Sequence, residues 1–319
     1  MIITVTPNPS LDKVYWVDRL KIGDQTQEEF LTRATRSHMS AGGKGVNISV
    51  FLARMGVENV AMGFIGGHVG QVVVRDLRNE GVSTNFVWVE GETRTNVTIL
   101  ERGREYVPIQ LNEAGPQISQ GASERFLRRY GRILPDADWM VLAGSLPPGL
   151  DSDFYYKLAK ETGAKVVISA GGEALSRSLD AAPYLVKPDT RQRLAMEGAR
   201  LTSRERIIAA GRRVIEQGVE VIIISHGVTG DIAISRDGIW DIKARISTTQ
   251  FKNLVGADDA LVGGIIYRLD EGAGFEEALR FGMAAAILSA EGDEKICHQR
   301  ERIEAEMEQI SVERYEEAA

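Results

Sequence analysis

The sequence predicts an α/β fold of three layers: a doubly wound, mostly parallel sheet with a small β-sheet lid. Three observations predict it. Short β-branched runs recur along the chain and are apolar throughout, as strands covered on both faces are. Amphipathic segments at helical spacing separate them, which implies parallel βαβ units. Two stretches of mixed polarity interrupt the alternation and read as extended chain standing off the main body. With 319 residues, 43% hydrophobic and 26% charged, the chain can bury a large core, and we expect a single α/β domain over 1–319.

The first strand is 2–6, ended by the turn Pro7-Asn8-Pro9. Further strands are expected at 60–64, 139–142, 166–169, 184–186 and 221–225, and helices at 46–55, 71–80, 153–162 and 203–217. The interrupting stretches are 14–18 and 94–110. In the second, 95–101 and 105–110 flank Arg102-Gly103-Arg104, a hairpin signal. They assign a lid to segments of about 13–37 and 88–112. A small exposed sheet is marginal alone and gains by packing on a second copy, so a homodimer through the lid is expected. The charged tail, 300–319, has a helical pattern and reads as a solvated helix with a frayed end.

Bulk properties remove several function classes. A net charge of −7 argues against nucleic acid or an anionic membrane as partner. The lone cysteine, Cys297, forms no intrachain disulfide, which fits a reducing compartment. The first residues lack a basic leader and no apolar run would span a bilayer, so a cytoplasmic location is expected. The four histidines, at 38, 68, 226 and 298, show no metal-ligand spacing with that cysteine.

Chemistry concentrates where strands give way to loops. Val255-Gly256-Ala257-Asp258-Asp259 precedes an apolar run and reads as the first turn of a buried helix. The backbone N–H groups of such a turn suit an anion, and an aspartate there can take a proton from an attacking hydroxyl. Gly42-Gly43-Lys44-Gly45-Val46-Asn47 enters another helix: its glycines admit close approach, Lys44 offers a charge to a phosphate and Asn47 bonds a hydroxyl. It lacks the spacing of a Walker loop. Asp12, past the first strand, reads as a grip on sugar hydroxyls or as a turn cap. Ser145 sits in the stiff loop Gly144-Ser145-Leu146-Pro147-Pro148-Gly149. Lys187-Pro188-Asp189 ends one strand, and Ser225-His226-Gly227-Val228-Thr229-Gly230 ends another with glycines that suit a nucleotide. Gly66-Gly67-His68-Val69-Gly70 lacks dinucleotide spacing and reads as packing and a helix start.

Together with Thr93-Arg94-Thr95-Asn96 and Gly172-Glu173-Ala174-Leu175, these motifs resemble the ribokinase-like carbohydrate kinases of the phosphofructokinase B branch, in the group of 1-phosphofructokinases and tagatose-6-phosphate kinases. The resemblance covers nearly the whole chain. It implies transfer of the ATP γ-phosphate to a hexose phosphate with Mg²⁺, fructose 1-phosphate being the first choice of substrate. It also implies roles. Asp12, Gly42, Gly43 and Asn47 would meet the sugar, while Lys44, Arg94 and Ser145 would hold the phosphate already on it. Asp259 would be the base, and the Gly256, Ala257 and Asp258 amides the anion hole. Lys187, Asp189, Ser225, Gly227 and Gly230 would line the nucleotide side.

The chain departs from the family pattern on that nucleotide side. Asp258 replaces a glycine, Asp189 an asparagine and Gln192 a glutamate, and Ser169-Ala170-Gly171-Gly172 stands for an Asp-Thr/Ser-Ser-Gly strand end. A carboxylate about 5 Å from a phosphate charge costs roughly 3 kcal/mol at an effective dielectric of about 20, on the order of a hundredfold in rate. Asp258 therefore has three readings: a repulsive charge, a ligand for Mg²⁺ (with Asp189 as a second candidate), or a helix cap. The departures together carry an alternative function, a weakened or inactive sugar-phosphate-binding or regulatory member of the same fold.

Overall fold

The structure, a computed structural model, describes residues 1–21, 31–104, 108–189, 201, 203–292, 295–297 and 299–315. Its strands and helices, in order, are β1 (Ile2–Thr6), β2 (Ser10–Val17), β3 (Arg36–Gly42), α1 (Lys44–Arg54), β4 (Asn59–Ile65), α2 (Gly67–Asn79), β5 (Ser83–Thr84), β6 (Val87–Trp88), β7 (Arg94–Glu101), β8 (Ile109–Asn112), α3 (Gln120–Ile133), β9 (Trp139–Ala143), α4 (Phe154–Lys160), β10 (Lys165–Ser169), α5 (Gly172–Ser178), β11 (Leu185–Val186), α6 (Arg204–Glu216), β12 (Val221–Ser225), β13 (Gly230–Ser235), β14 (Ile239–Ala244), α7 (Ala257–Asp270), α8 (Phe275–Glu291), α9 (Arg300–Glu306) and β15 (Ile310–Arg314).

The large sheet runs β15-β14-β13-β12-β11-β10-β9-β1-β4-β5, with β6 also on β4. Pairing is parallel from β12 to β5 and antiparallel from β12 to β15. Successive side chains of a strand point to opposite faces, and the core divides accordingly. Trp139, Val141 and Ala143 of β9, with Val221 and Ile223 of β12, pack under α1, α2, α7 and α8. Met140, Leu142, Ile222 and Ile224 pack under α3, α4 and α6. Hence the central runs are apolar at every position rather than alternating.

A second sheet, β3-β2-β7-β8, stands apart as the expected lid, mostly antiparallel but with β2 and β7 parallel. Its bounds differ from expectation. β2 starts at Ser10 and β8 at Ile109, while the hairpin residues 105–107 and lid residues 22–30 lie outside the described residues. The tail is corrected as well. Its helix stops at Glu306, and Ile310–Arg314 adds an antiparallel edge strand on β14; residues 316–319 lie outside the described residues. The alternation Ile310-Ser311-Val312-Glu313-Arg314, with Ile310 buried, is a strand pattern that the charged run before it hides. No helix among the described residues is long and apolar enough to cross a membrane.

Candidate active site

A cavity of about 280 Å³ opens between the lid and the ends of the parallel strands. It is lined by Asp12, Gly43, Lys44, Asn47, Arg94, Ser145, Asp189, Gly256 and Asp259 from the expected set, and by Asn96 and Asn112 of the lid. Gly42 stands behind Asp12: a Cβ there would fall 2.3 Å from Asp12 Cγ.

The lid register explains the sugar side. Parallel pairing of β2 with β7 sets Asp12 beside Asn96 and Ser10 beside Arg94. Asn96 Nδ2 and Ser10 Oγ donate to Asp12 Oδ1 at 3.0 and 2.7 Å. On the other carboxylate oxygen, Lys295 Nζ donates to Oδ2 at 2.8 Å. Burial pushes the Asp12 carboxyl up, but the Lys295 charge and these hydrogen bonds outweigh it and hold it below its ordinary value. Arg94 donates to Asn8 O at 3.1 Å and Glu113 O at 3.3 Å, which fixes its guanidinium at the cavity wall. Ser145 Oγ accepts from Asn8 Nδ2 at 3.4 Å.

The helix entries supply the rest. Gly43 caps α1 at φ 107°, a conformation that favours glycine, and puts Lys44 and Asn47 on the first turn facing the cavity. Gly256 caps α7 at φ 89° and has no side chain of its own to bond that turn. A helix start of this kind presents positive potential to an anion. Within it, Ala257 N also reaches Leu254 O at 3.3 Å. Asp259, 4% exposed, accepts from Asn47 Nδ2 at 2.7 Å on Oδ2 and has Lys44 Nζ 3.8 Å from Oδ1. Lys44 Nζ is also 3.5 Å from Asp189. It thus stands beside the carboxylate of α7, bridging to the strand-end loop.

Asp258 stands on the first turn of α7. Its Oδ1 lies 3.3 Å from Lys187 Nζ, whose side chain is 1% exposed. Lys187 also donates to Ser225 Oγ at 2.7 Å and lies 3.5 Å from Asp231. For Lys187 itself, burial pulls the ammonium down, and the charges of Asp258 and Asp231 more than restore it. Burial pushes the Asp231 carboxyl up; Lys187 opposes the rise and Asp258 adds to it. Of the expected nucleotide-side residues, Lys187 and Ser225 join in this cluster. Gly227, at φ 88°, lies in the turn between β12 and β13 with nothing near where a Cβ would sit, and Gly230 opens β13 opposite Lys243. Gln192 lies outside the described residues.

Among the residues that sequence reasoning missed are Ser10, Asn112, Lys295 and Asp231. Lys295 sits on a stretch with no motif of its own, Asp231 lies just past the turn that ends at Gly230, and only the fold brings them to the site.

Two cations, a buried acceptor carboxylate and a helix start facing one cavity are the equipment of a phosphotransferase. The comparisons with known proteins narrow this. The model of the pfkB family carbohydrate kinases matches residues 9–296. A 1-phosphofructokinase of Bacillus subtilis is 34% identical over 297 residues, covering 92% of this chain and 94% of its own. A D-tagatose-1-phosphate kinase of Bacillus licheniformis is 31% identical, over 91% of this chain and 92% of its own. A solved structure from Thermotoga maritima, described as a possible 1-phosphofructokinase, superposes with a TM-score of 0.88 at 33% identity, covering 99% of both chains. The chain belongs to the pfkB family of carbohydrate kinases.

Proposed function

We propose that this protein transfers the γ-phosphate of ATP to a hydroxyl of a ketohexose phosphate, with fructose 1-phosphate as substrate. One observation carries the reading: Asp259 is held by Asn47 at 2.7 Å at the start of α7, in the same cavity as Arg94, Lys44 and Asp12. Arg94, held at the cavity wall with Ser145, argues for an acceptor that is already phosphorylated, since a neutral sugar has no use for a guanidinium there. The names of the Bacillus relatives support a ketose 1-phosphate.

In this reading Asp12, Gly43 and Asn47 meet the sugar hydroxyls, Gly42 leaves room for the Asp12 carboxylate behind them, and Arg94 and Ser145 hold the phosphate. Asp259 takes the proton of the attacking hydroxyl as the new O–P bond forms and the bond to the β-phosphate oxygen breaks. The first turn of α7 and Lys44 stabilise the charge of the group in transit; the distance of Lys44 to Asp259 favours this over a place on the substrate's own phosphate. Lys187, Asp189, Ser225, Gly227 and Gly230 face the nucleotide.

Mg²⁺ fits the residues present. Among the described residues no three His, Cys, Asp or Glu side chains form a metal cage. Such a cation commonly binds through substrate phosphates and one or two carboxylates, for which Asp189 and Asp258 stand at the nucleotide side. When bound it supplies charge neutralisation of the phosphates. The alternative of a weakened kinase was motivated by the clustered departures on the nucleotide side; of these, Asp258 is paired with Lys187 rather than standing as a stray charge, which supports the active reading.

Steady-state assays with fructose 1-phosphate, fructose 6-phosphate, tagatose 1-phosphate and tagatose 6-phosphate test the reading. Turnover fastest with fructose 1-phosphate is expected; no turnover of any at millimolar ATP and Mg²⁺ would refute it. A homodimer through the lid also belongs to the proposal, supported by exposed Met39, Ile109 and Leu111 on that sheet. Sedimentation of Leu111→Arg as a monomer, against a dimeric parent, is the expected result. The substrates, ATP and a sugar phosphate, go with a cytoplasmic location, which cell fractionation tests.

A further inference from the structure

Lys295 lies far from every motif of the sequence, yet its ammonium is among the most completely used groups of the site. The side chain is 5% exposed. It donates to Asp12 Oδ2 at 2.8 Å, to Ala41 O at 2.9 Å and, at 3.5 Å, to Asn47 Oδ1. An ammonium has three protons and no lone pair, so this set exhausts it. The same property fixes the Asn47 amide. Only its carbonyl oxygen can face an ammonium, so Nδ2 must point the other way, and it donates to Asp259 Oδ2 at 2.7 Å.

Asp12 is fixed in a like manner. A carboxylate offers about four acceptor positions. Ser10 and Asn96 take two on Oδ1, and Lys295 takes one on Oδ2. One remains for a sugar hydroxyl. Lys295 itself does not line the substrate cavity; with Asn47, it lines a second cavity of about 280 Å³. It therefore reaches Asp12 and Asn47 from behind the wall that the substrate meets.

We propose that Lys295 is the positioning residue of the phosphate-transfer site: from behind the wall it keeps Asp12 an acceptor for a single sugar hydroxyl and locks the Asn47 amide so that it donates to the base, Asp259. The proposal rests on the roles given above to Asp12 and Asp259. It joins substrate grip and base alignment in one buried charge.

A double-mutant cycle tests it, with Lys295→Met, Asp12→Asn and the pair. Lys295→Met should raise KM for the sugar phosphate about tenfold, through Asp12, and lower kcat about tenfold, through Asn47 and Asp259. Its acid limb of kcat/KM should move to higher pH, whereas Lys295→Arg, which keeps the charge, should leave that limb in place. The double variant should have a KM no worse than Asp12→Asn alone. Losses in KM that multiply, with an unmoved acid limb, would overturn the proposal. Lys295→Gln, which still offers a donor to Asp12, repeats the test if Lys295→Met does not fold.

A readout independent of turnover separates this proposal from the function reading. The Asp12 carboxyl, followed by NMR, should titrate at higher pH in Lys295→Met or Lys295→Gln and hold its place in Lys295→Arg. If the parent phosphorylates none of the four hexose phosphates, the function reading falls while this titration still decides the hold of Lys295 on Asp12. If the parent turns over normally and neither titration nor KM moves in the variants, the Lys295 proposal falls alone.

Discussion

Replacing Asp258 by asparagine keeps the shape of the side chain and deletes its charge. The outcome depends on what that charge faces. At 3.3 Å from Lys187 Nζ, the pair attracts by about 5 kcal/mol at an effective dielectric of about 20. That figure is an upper bound, because the Asp258 side chain is 30% exposed and water screens it. Lys187 also keeps Asp231 at 3.5 Å, so the variant does not strand a buried cation. A net loss of about 1–2 kcal/mol remains. Unfolding entropy of about 2 cal/mol/K per residue makes this a fall in Tm of roughly 1.5–3 °C for a chain of this length. For catalysis, an uncompensated carboxylate near the moving phosphate would slow transfer about a hundredfold, so its deletion would speed transfer as much. We expect no such gain. Asp258 is already paired with Lys187, so its deletion removes no uncompensated charge beside the phosphate, and Lys187 keeps Asp231 as partner; kcat should stay within about tenfold of the parent. Steady-state kinetics across ATP and Mg²⁺ concentrations, with scanning calorimetry, make the measurement. A hundredfold acceleration at unchanged Tm would refute the pairing. A hundredfold loss restored by excess Mg²⁺ would instead make Asp258 a metal ligand.

Asp259→Asn should lower kcat by about 10²–10⁴ while calorimetric affinity for fructose 1-phosphate stays within a few-fold; retained turnover would remove Asp259 from the base role. Acid sensitivity should follow Asp12. Its carboxyl is held below the ordinary value of 3.8, so its contribution to stability is complete above that value and is lost as pH falls through the lower folded-state value. Urea melts between pH 5 and pH 2, on the order of the carboxylate range, should show that loss in the parent and a flatter profile in Asp12→Asn. Gly282→Ala should cost about 1–3 kcal/mol by overpacking, since its Cβ would sit 2.6 Å from Leu261 O and 2.7 Å from Ile265 where α8 crosses α7. An unchanged Tm would contradict that packing.

Much of this molecule is legible in the sequence because its signals are local. Strands covered on both faces write themselves as unbroken β-branched runs, and 2–6, 139–142 and 221–225 appear within a residue of their expected bounds. Helix entries declare themselves by Gly43 and Gly256, and so the residues on those first turns were expected in the site. What stayed hidden depends on distance through the fold. Lys295 meets Asp12 across 283 positions, and no periodicity reports such a contact. β15 stayed hidden for a different reason: its alternation spans five residues only, and the charged helical run before it masks the pattern.

The Asp258 question shows where a residue-by-residue reading stops. In the sequence, Asp258 is an added negative charge beside a phosphate, and the arithmetic of an isolated charge makes it harmful. In the fold, the same carboxylate belongs to a group of three with Lys187 and Asp231, and Lys187 meets burial with two opposite charges instead of one. The sign of an added charge is therefore not a property of its position in a motif. It is set by the nearest buried partner, here 3.3 Å away from a residue 71 positions earlier in the chain. The same logic governs the sugar side, where Lys295 converts the buried Asp12 from a desolvated liability into a fixed acceptor. Asp258 and Asp12 are each matched by a lysine almost wholly withdrawn from solvent. Exchanging those lysines for neutral side chains should damage the site more than exchanging any exposed cation of the lid, such as Arg36.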